Sequence, residues 1–207
     1  MKRTPVRITL IQGSPREESY SSRLCQEVLR GCQEEARSRN VDLIETLVRP
    51  SDKDIQACIA CFHCDRTGEC IFRDDMPELI KLFDNSDLVL LASPIFFNGF
   101  PSTVKKMIDR CQPIWASKYM LDRPIIDREK RRLGLIIGCG GAPEYEDQFT
   151  ALKTVGKMFF KTINCKLIAE RTLANTDNLN LDQEEQLRQE YFQQGQKLME
   201  KYLLPDN

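Results

Sequence analysis

Val6-Arg7-Ile8-Thr9-Leu10-Ile11 runs into Gln12-Gly13-Ser14-Pro15-Arg16-Glu17-Glu18-Ser19-Tyr20-Ser21-Ser22. From Ser21 to Arg39 the apolar residues Leu24, Cys25, Val28, Leu29, Cys32 and Ala36 then share one helical face. The opening run has the branched, apolar character of a buried strand, and Gly13-Ser14-Pro15 stops it. A strand, a tight hydroxyl-rich turn and an amphipathic helix form the first half of a β-α-β unit, and the same alternation recurs along the chain. Val41–Val48, Leu88–Ala92, Leu133–Gly138 and Cys165–Leu173 read as four further strands. Between them, Asp75 with Glu78 three residues on reads as the cap of a helix reaching Phe83. Pro101 opens a helix carrying Val104, Met107, Ile108 and Cys111. Phe149, Leu152, Val155, Phe159 and Phe160 mark another. Asp182 with Glu185 is expected to cap the last, with Leu187, Tyr191, Leu198 and Tyr202 inward.

Five strands alternating with five helices predict an α/β chain with a parallel sheet covered on both faces. The order 2-1-3-4-5 suits this count, giving a flavodoxin-like three-layer sandwich whose ligand sits at the carboxyl ends of the strands. Residues 1–207 read as one domain with two insertions, 50–74 and 112–132. The second holds the only tryptophan, Trp115, and the charged run Asp127-Arg128-Glu129-Lys130-Arg131-Arg132. That run is expected to be a solvated connection; a lid or a subunit contact is the alternative.

Thirty Lys+Arg against thirty-one Asp+Glu leave a net charge of −1, which argues against nucleic acid or an anionic membrane as the main partner. No apolar run is long enough to span a bilayer, and no signal core follows Lys2 and Arg3, so a cytoplasmic protein is expected. The single histidine, His63, excludes multi-histidine metal sites and any Ser/His/Asp triad built without it. Nine cysteines without an export signal point to metal or redox chemistry rather than disulfides.

Three loops follow strands one, three and four, which are neighbours in the expected order, so they converge on one crevice. The first carries Ser14, Arg16, Ser19, Ser21 and Ser22 at a helix N-terminus, a donor set that suits a phosphate monoester. The plain alternative is that the serines only cap the helix. Neither G-x-G-x-x-G nor Gly-Lys-Ser/Thr is present there, which disfavours a dinucleotide and nucleotide hydrolysis. The second loop is Ser93-Pro94-Ile95-Phe96-Phe97-Asn98-Gly99-Phe100. Its phenylalanines suit a flat apolar ligand, or else fold into the core or cover a partner subunit. The third, Gly138-Cys139-Gly140-Gly141-Ala142, has no bulky side chain, so its backbone can approach a ring closely.

With Gly13-Ser14-Pro15-Arg16, Ser93-Pro94-Ile95-Phe96-Phe97, Lys105 and Asp109-Arg110, the chain resembles the NADPH-dependent FMN reductase family. The resemblance implies FMN as cofactor and NAD(P)H as a possible electron donor. It implies phosphate contacts at Ser14, Arg16, Ser19, Ser21 and Ser22. Ring contacts are implied at Pro94, Ile95, Phe96, Phe97, Asn98 and Gly99, and at Cys139, Gly140 and Gly141. Phe96 stands where many relatives have tyrosine.

Cys58, Cys61, Cys64 and Cys70 form C-x2-C-x2-C-x5-C, four thiols within thirteen residues. Structural zinc sites usually join two separated knuckles. Closely repeated x2 spacings are instead similar to a ferredoxin loop wrapped on a 4Fe–4S cluster, with Gly68 easing the turn to a nearby fourth ligand. Zinc, free redox-active thiols or metal-free burial are the alternatives. The compact motif also resembles that of the iron–sulfur flavoproteins, a branch of the same family. That resemblance implies these four cysteines as cluster ligands and electron transfer between a ferredoxin-type carrier and FMN. An NAD(P)H-dependent FMN or quinone reductase without a cluster is the second reading, and a non-enzymatic flavin-binding or zinc-stabilised module the third. No catalytic acid or base is assigned, because a flavin supplies the reactivity. His63 is expected to be an exposed loop residue, Cys25, Cys32, Cys111 and Cys165 small core residues, and Trp115 a contact of a homodimer or tetramer.

Overall fold

A computed structural model describes residues 4–204; the basic Lys2 and Arg3 lie outside the described residues. Strands β1 (Val6–Gln12), β2 (Leu43–Val48), β3 (Leu88–Pro94), β4 (Leu133–Cys139) and β5 (Lys166–Leu173) form one sheet in the order β2-β1-β3-β4-β5. Every pairing is parallel. The helices are α1 (Tyr20–Ser38), α2 (His63–Thr67), α3 (Met76–Asn85), α4 (Ser102–Asp109), α5 (Gln112–Tyr119), α6 (Thr150–Thr162) and α7 (Glu185–Leu203).

Successive strand residues point to opposite faces, and both faces of the central strands are buried, which is why those strands read as unbroken apolar runs. Leu88, Leu90 and Ala92 of β3 pack with Leu24, Val28 and Leu198 beneath α1 and α7. Val89 and Leu91, between them, pack with Phe83, Met107 and Phe159 on the opposite face. Helices α1 and α7 cross with their backbones nearly touching. A Cβ on Gly31 would stand 1.9 Å from the Phe192 carbonyl oxygen, and one on Gly195 would stand 1.9 Å from that of Val28. Only glycine permits this approach, and no periodicity in the sequence announces it.

Several expectations need correction. The helix opened by Pro101 ends at Asp109, and Gln112–Tyr119 forms its own helix, so the first eight residues of the expected insertion are helical. Proline at position 113, in the first turn of α5, suits a helix start and not a continuation. The charged run before β4 is not wholly solvated. Arg132 is 2% exposed and donates to the carbonyls of Asp127 and Asp84, each at 2.7 Å. Asp75 occupies the cap position of α3, but its carboxylate accepts the Asp54 amide at 2.9 Å, while Asp74 accepts that of Met76 at 3.1 Å. Asp182 does not cap α7; it lies in a short 3-10 turn and pairs with Arg23.

Among the described residues no helix is long and apolar enough to cross a membrane. Cys25, Cys32, Cys111 and Cys165 are buried as expected. Burial pushes the Cys25 and Cys111 thiols up to about 12, so they behave as apolar residues rather than nucleophiles.

Candidate functional site

The three loops emerge from β1, β3 and β4, side by side at the carboxyl edge of the sheet. The first is tied to the second strand of the set, since the Gly13 amide donates to the Ala92 carbonyl at 2.7 Å. A Cβ on Gly13 would lie 2.6 Å from Val104 and 2.7 Å from the Ser93 hydroxyl, so the turn must pass bare over β3. Ser14, Ser21 and Ser22 are nearly buried, at 5%, 1% and 5% exposure. The Ser19 hydroxyl caps α1 by accepting the Ser22 amide at 3.2 Å, and it lies 3.2 Å from the Ser21 hydroxyl and 2.8 Å from that of Ser22. Capping and a phosphate cradle are therefore compatible readings of the same serines. The first turn of this 19-residue helix carries no acidic residue, so its dipole is left for an anion. Arg16 is exposed, with its amide on the Ser14 hydroxyl at 3.1 Å.

The second loop turns sharply. Phe96 and Gly99 exchange backbone hydrogen bonds at 2.9 and 3.1 Å across Phe97 and Asn98, both with positive φ, 50° and 62°. Two successive positive-φ residues make a type I′ geometry, for which phenylalanine is a costly choice. Phe97 projects wholly into solvent and Phe96 is half exposed, whereas Phe100 packs against the core. Ile95 donates to the Cys139 carbonyl at 2.8 Å, joining the second loop to the third.

The Cys139 side chain packs into the core, 4% exposed, so what this position offers the crevice is backbone. Beyond it, the third loop is pinned from a segment that the sequence reading passed over. Thr176 and Asp177 donate their amides to the carbonyls of Gly140 and Gly141, each at 3.1 Å. A Cβ on Gly141 would sit 2.5 Å from the Asp177 carboxylate, and one on Gly140 would sit 2.9 Å from the amide nitrogen of Gln148. Tyr145 closes the arrangement by hydrogen-bonding Asn98 across the two loops. The only signal for this tie was an aromatic residue among Glu144 and Glu146.

The cysteine segment forms a second centre. Cys58, Cys61, Cys64 and Cys70 line one cavity of about 320 Å³, walled by Ile59, Phe62, Phe72, Trp115 and Met120. Ala60, Phe62 and Gly68 all have positive φ, which folds the segment back repeatedly around the cavity; Cys64 and Cys70 are half-buried, while Cys58 and Cys61 are exposed. Gly68 ends α2 by donating to the Cys64 carbonyl at 2.8 Å. His63 is partly exposed as the first residue of that helix. Among the described residues no three His, Cys, Asp or Glu side chains are drawn together tightly enough for a single metal ion.

The neck of this segment is held by a buried ion pair that the sequence reading missed. Arg110 donates to the Asp74 carboxylate at 2.6 and 3.1 Å and to the Gln56 carbonyl at 2.7 Å. Asp74 in turn accepts the Gln56 amide at 3.0 Å. Both side chains are 1% exposed. Burial alone would raise the Asp74 carboxyl, but the Arg110 fork and the Gln56 and Met76 amides outweigh it and hold the group below its ordinary value.

The sequence profile of the NADPH-dependent FMN reductases matches residues 6–154, a stretch holding all three loops and the cysteine segment. The chain belongs to that family. An iron–sulfur flavoprotein of Methanocaldococcus jannaschii is 34% identical over 105 residues, 50% of this chain and 51% of that protein. One from Archaeoglobus fulgidus is 36% identical over 103 residues, 50% of this chain and 44% of that protein. The chain thus spans about half the length of the curated relatives it matches. Among solved structures, a flavone reductase superposes with a TM-score of 0.66 at 17% identity, over 95% of this chain and 63% of that one, a likeness of fold. Membership places the chain in an oxidoreductase family that uses FMN, on the five-stranded parallel fold expected from its alternating strands and helices.

Proposed function

We propose that this chain is an iron–sulfur flavoprotein that passes electrons between a ferredoxin-type carrier and FMN. Ser14, Arg16, Ser19, Ser21 and Ser22 would hold the flavin phosphate. Pro94–Gly99 and the backbone of residues 139–141 would flank the ring, and Cys58, Cys61, Cys64 and Cys70 would hold a 4Fe–4S cluster. The observation that carries the reading is the shared cavity of the four cysteines. Its mostly apolar walls suit a cluster held by thiolates, and a cuboidal cluster spreads its ligands over the corners of a solid instead of drawing them onto one ion. The phosphate end fits on separate grounds: three nearly buried serines at a helix N-terminus without acidic neighbours in its first turn.

When bound, FMN exchanges two electrons as a hydride or one at a time, and a 4Fe–4S cluster exchanges one. The chain's own residues bind and orient: the serines fix the phosphate end, the backbone of residues 140 and 141, pinned by Thr176 and Asp177, flanks the ring, and the Asn98–Tyr145 tie holds two loops in register. The exposed Phe96 and Phe97 and the half-exposed Trp115 favour completion of the site by a second copy of the chain, so a homodimer or tetramer is part of the proposal.

Anaerobic purification followed by iron, acid-labile sulfide, zinc and FMN analysis tests the reading. About four irons and four sulfides beside one FMN per chain are expected. FMN without iron after anaerobic reconstitution would replace it with the cluster-free NAD(P)H-dependent reductase, and zinc in place of iron would make the cysteine segment structural.

A further inference from the structure

Arg110 closes the neck of the cysteine segment, because its two partners, Gln56 and Asp74, stand at the segment's opposite ends. A clamp would explain the Asp74 and Gln56 bonds, but three other features exceed that role. The Arg110 Nε–H is buried without a hydrogen-bond partner. The guanidinium lies 4.9 Å from the Phe72 ring centre, and it shares the cavity wall with the four cysteines.

We propose that Arg110 is a positioning residue for the cluster, closing the neck of the cysteine segment and raising the cluster's reduction potential through its charge on the wall of the cavity that the four cysteines line. This rests on the cluster reading given above. Reduction adds one electron to the cluster and neither forms nor breaks a bond, so a cation on the wall of its cavity favours the reduced form. Hydrogen bonds to sulfur and local charge are the levers by which a protein sets such a potential. At an effective dielectric of ~20, a unit charge anywhere within ~10 Å of the cluster changes the reduction equilibrium by more than tenfold. The Asp74 carboxylate cancels part of it.

The test is a redox titration of the anaerobically purified full-length protein, followed by electron paramagnetic resonance, with iron per chain measured alongside. Arg110→Gln is expected to weaken cluster reduction about tenfold, a fall of about 59 mV for a one-electron couple. Asp74→Asn, which leaves the cation uncompensated, is expected to raise the potential. Arg110→Lys keeps the charge and is expected to remain near the wild type. Opposite signs for the two charge-removing variants are the decisive signature, since loosening of the neck has no reason to reverse direction between them. Should Arg110→Gln lose its iron, the double variant R110Q/D74N, with no unpaired charge in the neck, replaces it and is expected to show a lowered potential. Wild-type iron with unchanged or same-direction potentials overturns the role of Arg110 and leaves the cluster reading standing. A wild-type protein without iron overturns both.

Discussion

Gly195→Ala is a one-methyl change remote from both centres, and it is expected to disturb the first of them. The added Cβ would stand 1.9 Å from the Val28 carbonyl oxygen, 2.8 Å from its carbon and 2.9 Å from the Cys32 amide nitrogen, all backbone atoms that no rotamer change can move. Ordinary contact begins at 3.4 Å, so α1 and α7 must part locally by about 1.5 Å. Overpacking of this kind costs about 1–3 kcal/mol. Parting the helices also forfeits a quarter to a half of the dispersion between the residues that meet there. Alanine returns about 1 kcal/mol through its better helix propensity. Overpacking less the propensity gain leaves a loss of about 0–2 kcal/mol, and the forfeited dispersion adds to it, against the ~5–15 kcal/mol that holds a domain folded. Because α1 begins at the serine loop, its displacement is expected to weaken FMN binding as well. Urea unfolding of the apoprotein and fluorescence titration with FMN read the two effects separately. A variant as stable as the wild type, or more so, would show that propensity outweighs the clash and refute the close crossing.

Lys118 offers a pH signature. Burial and the nearby Arg128 and Arg132 lower its pKa to about 8, below its unfolded value of about 10.5. The unfolded chain therefore holds the extra proton between those values, and stability should rise with pH across that window. Lys118→Met should lack the rise; identical pH profiles from pH 7 to 10 would contradict it. Trp115 packs at a tilt against the exposed Tyr119 with ring centres 5.5 Å apart, and Met120 is exposed next to them. Trp115→Ala is expected to lower the molecular mass in solution, and an unchanged mass by light scattering would remove it from the subunit contact. Phe97→Gly relieves a positive-φ side chain and should stabilise the fold by about 1 kcal/mol. It should also weaken flavin binding or assembly, and a variant gaining stability with both intact would make Phe97 incidental.

The sheet was legible because the central strands carry apolar side chains on both faces, a continuous signal that β3 and β4 show along nearly their whole length. The half-buried edge strands β2 and β5 were found with slightly looser ends. The three loops were legible because each directly follows a strand. What the sequence hid is long-range. Gly31 and Gly195 are 164 positions apart and carry no side chain to reveal their meeting. The Arg110–Asp74 pair was masked because both residues are of types that normally face solvent, and Arg132 was hidden within a charged run for the same reason. The caps expected at Asp75 and Asp182 failed because a carboxylate near a helix start can accept other donors: Asp54 claimed one and Arg23 the other.

The two centres are not independent appendages. Helix α4 starts one residue beyond the Phe96–Phe100 turn, after Pro101, and is followed directly by Arg110, which holds the neck of the cysteine segment. Eight helical residues rise about 12 Å, so one short rigid rod joins the loop assigned to the flavin ring with the residue assigned to the cluster. Val104 and Met107, both fully buried, fasten that rod to the core, leaving little freedom for it to slide or rotate. A change at Arg110 that moved the rod would therefore have to disturb the turn at its other end. A potential shift in Arg110→Gln with the FMN spectrum and affinity unchanged would locate the effect in local charge alone. Matched changes at both centres would mean that the rod itself had moved.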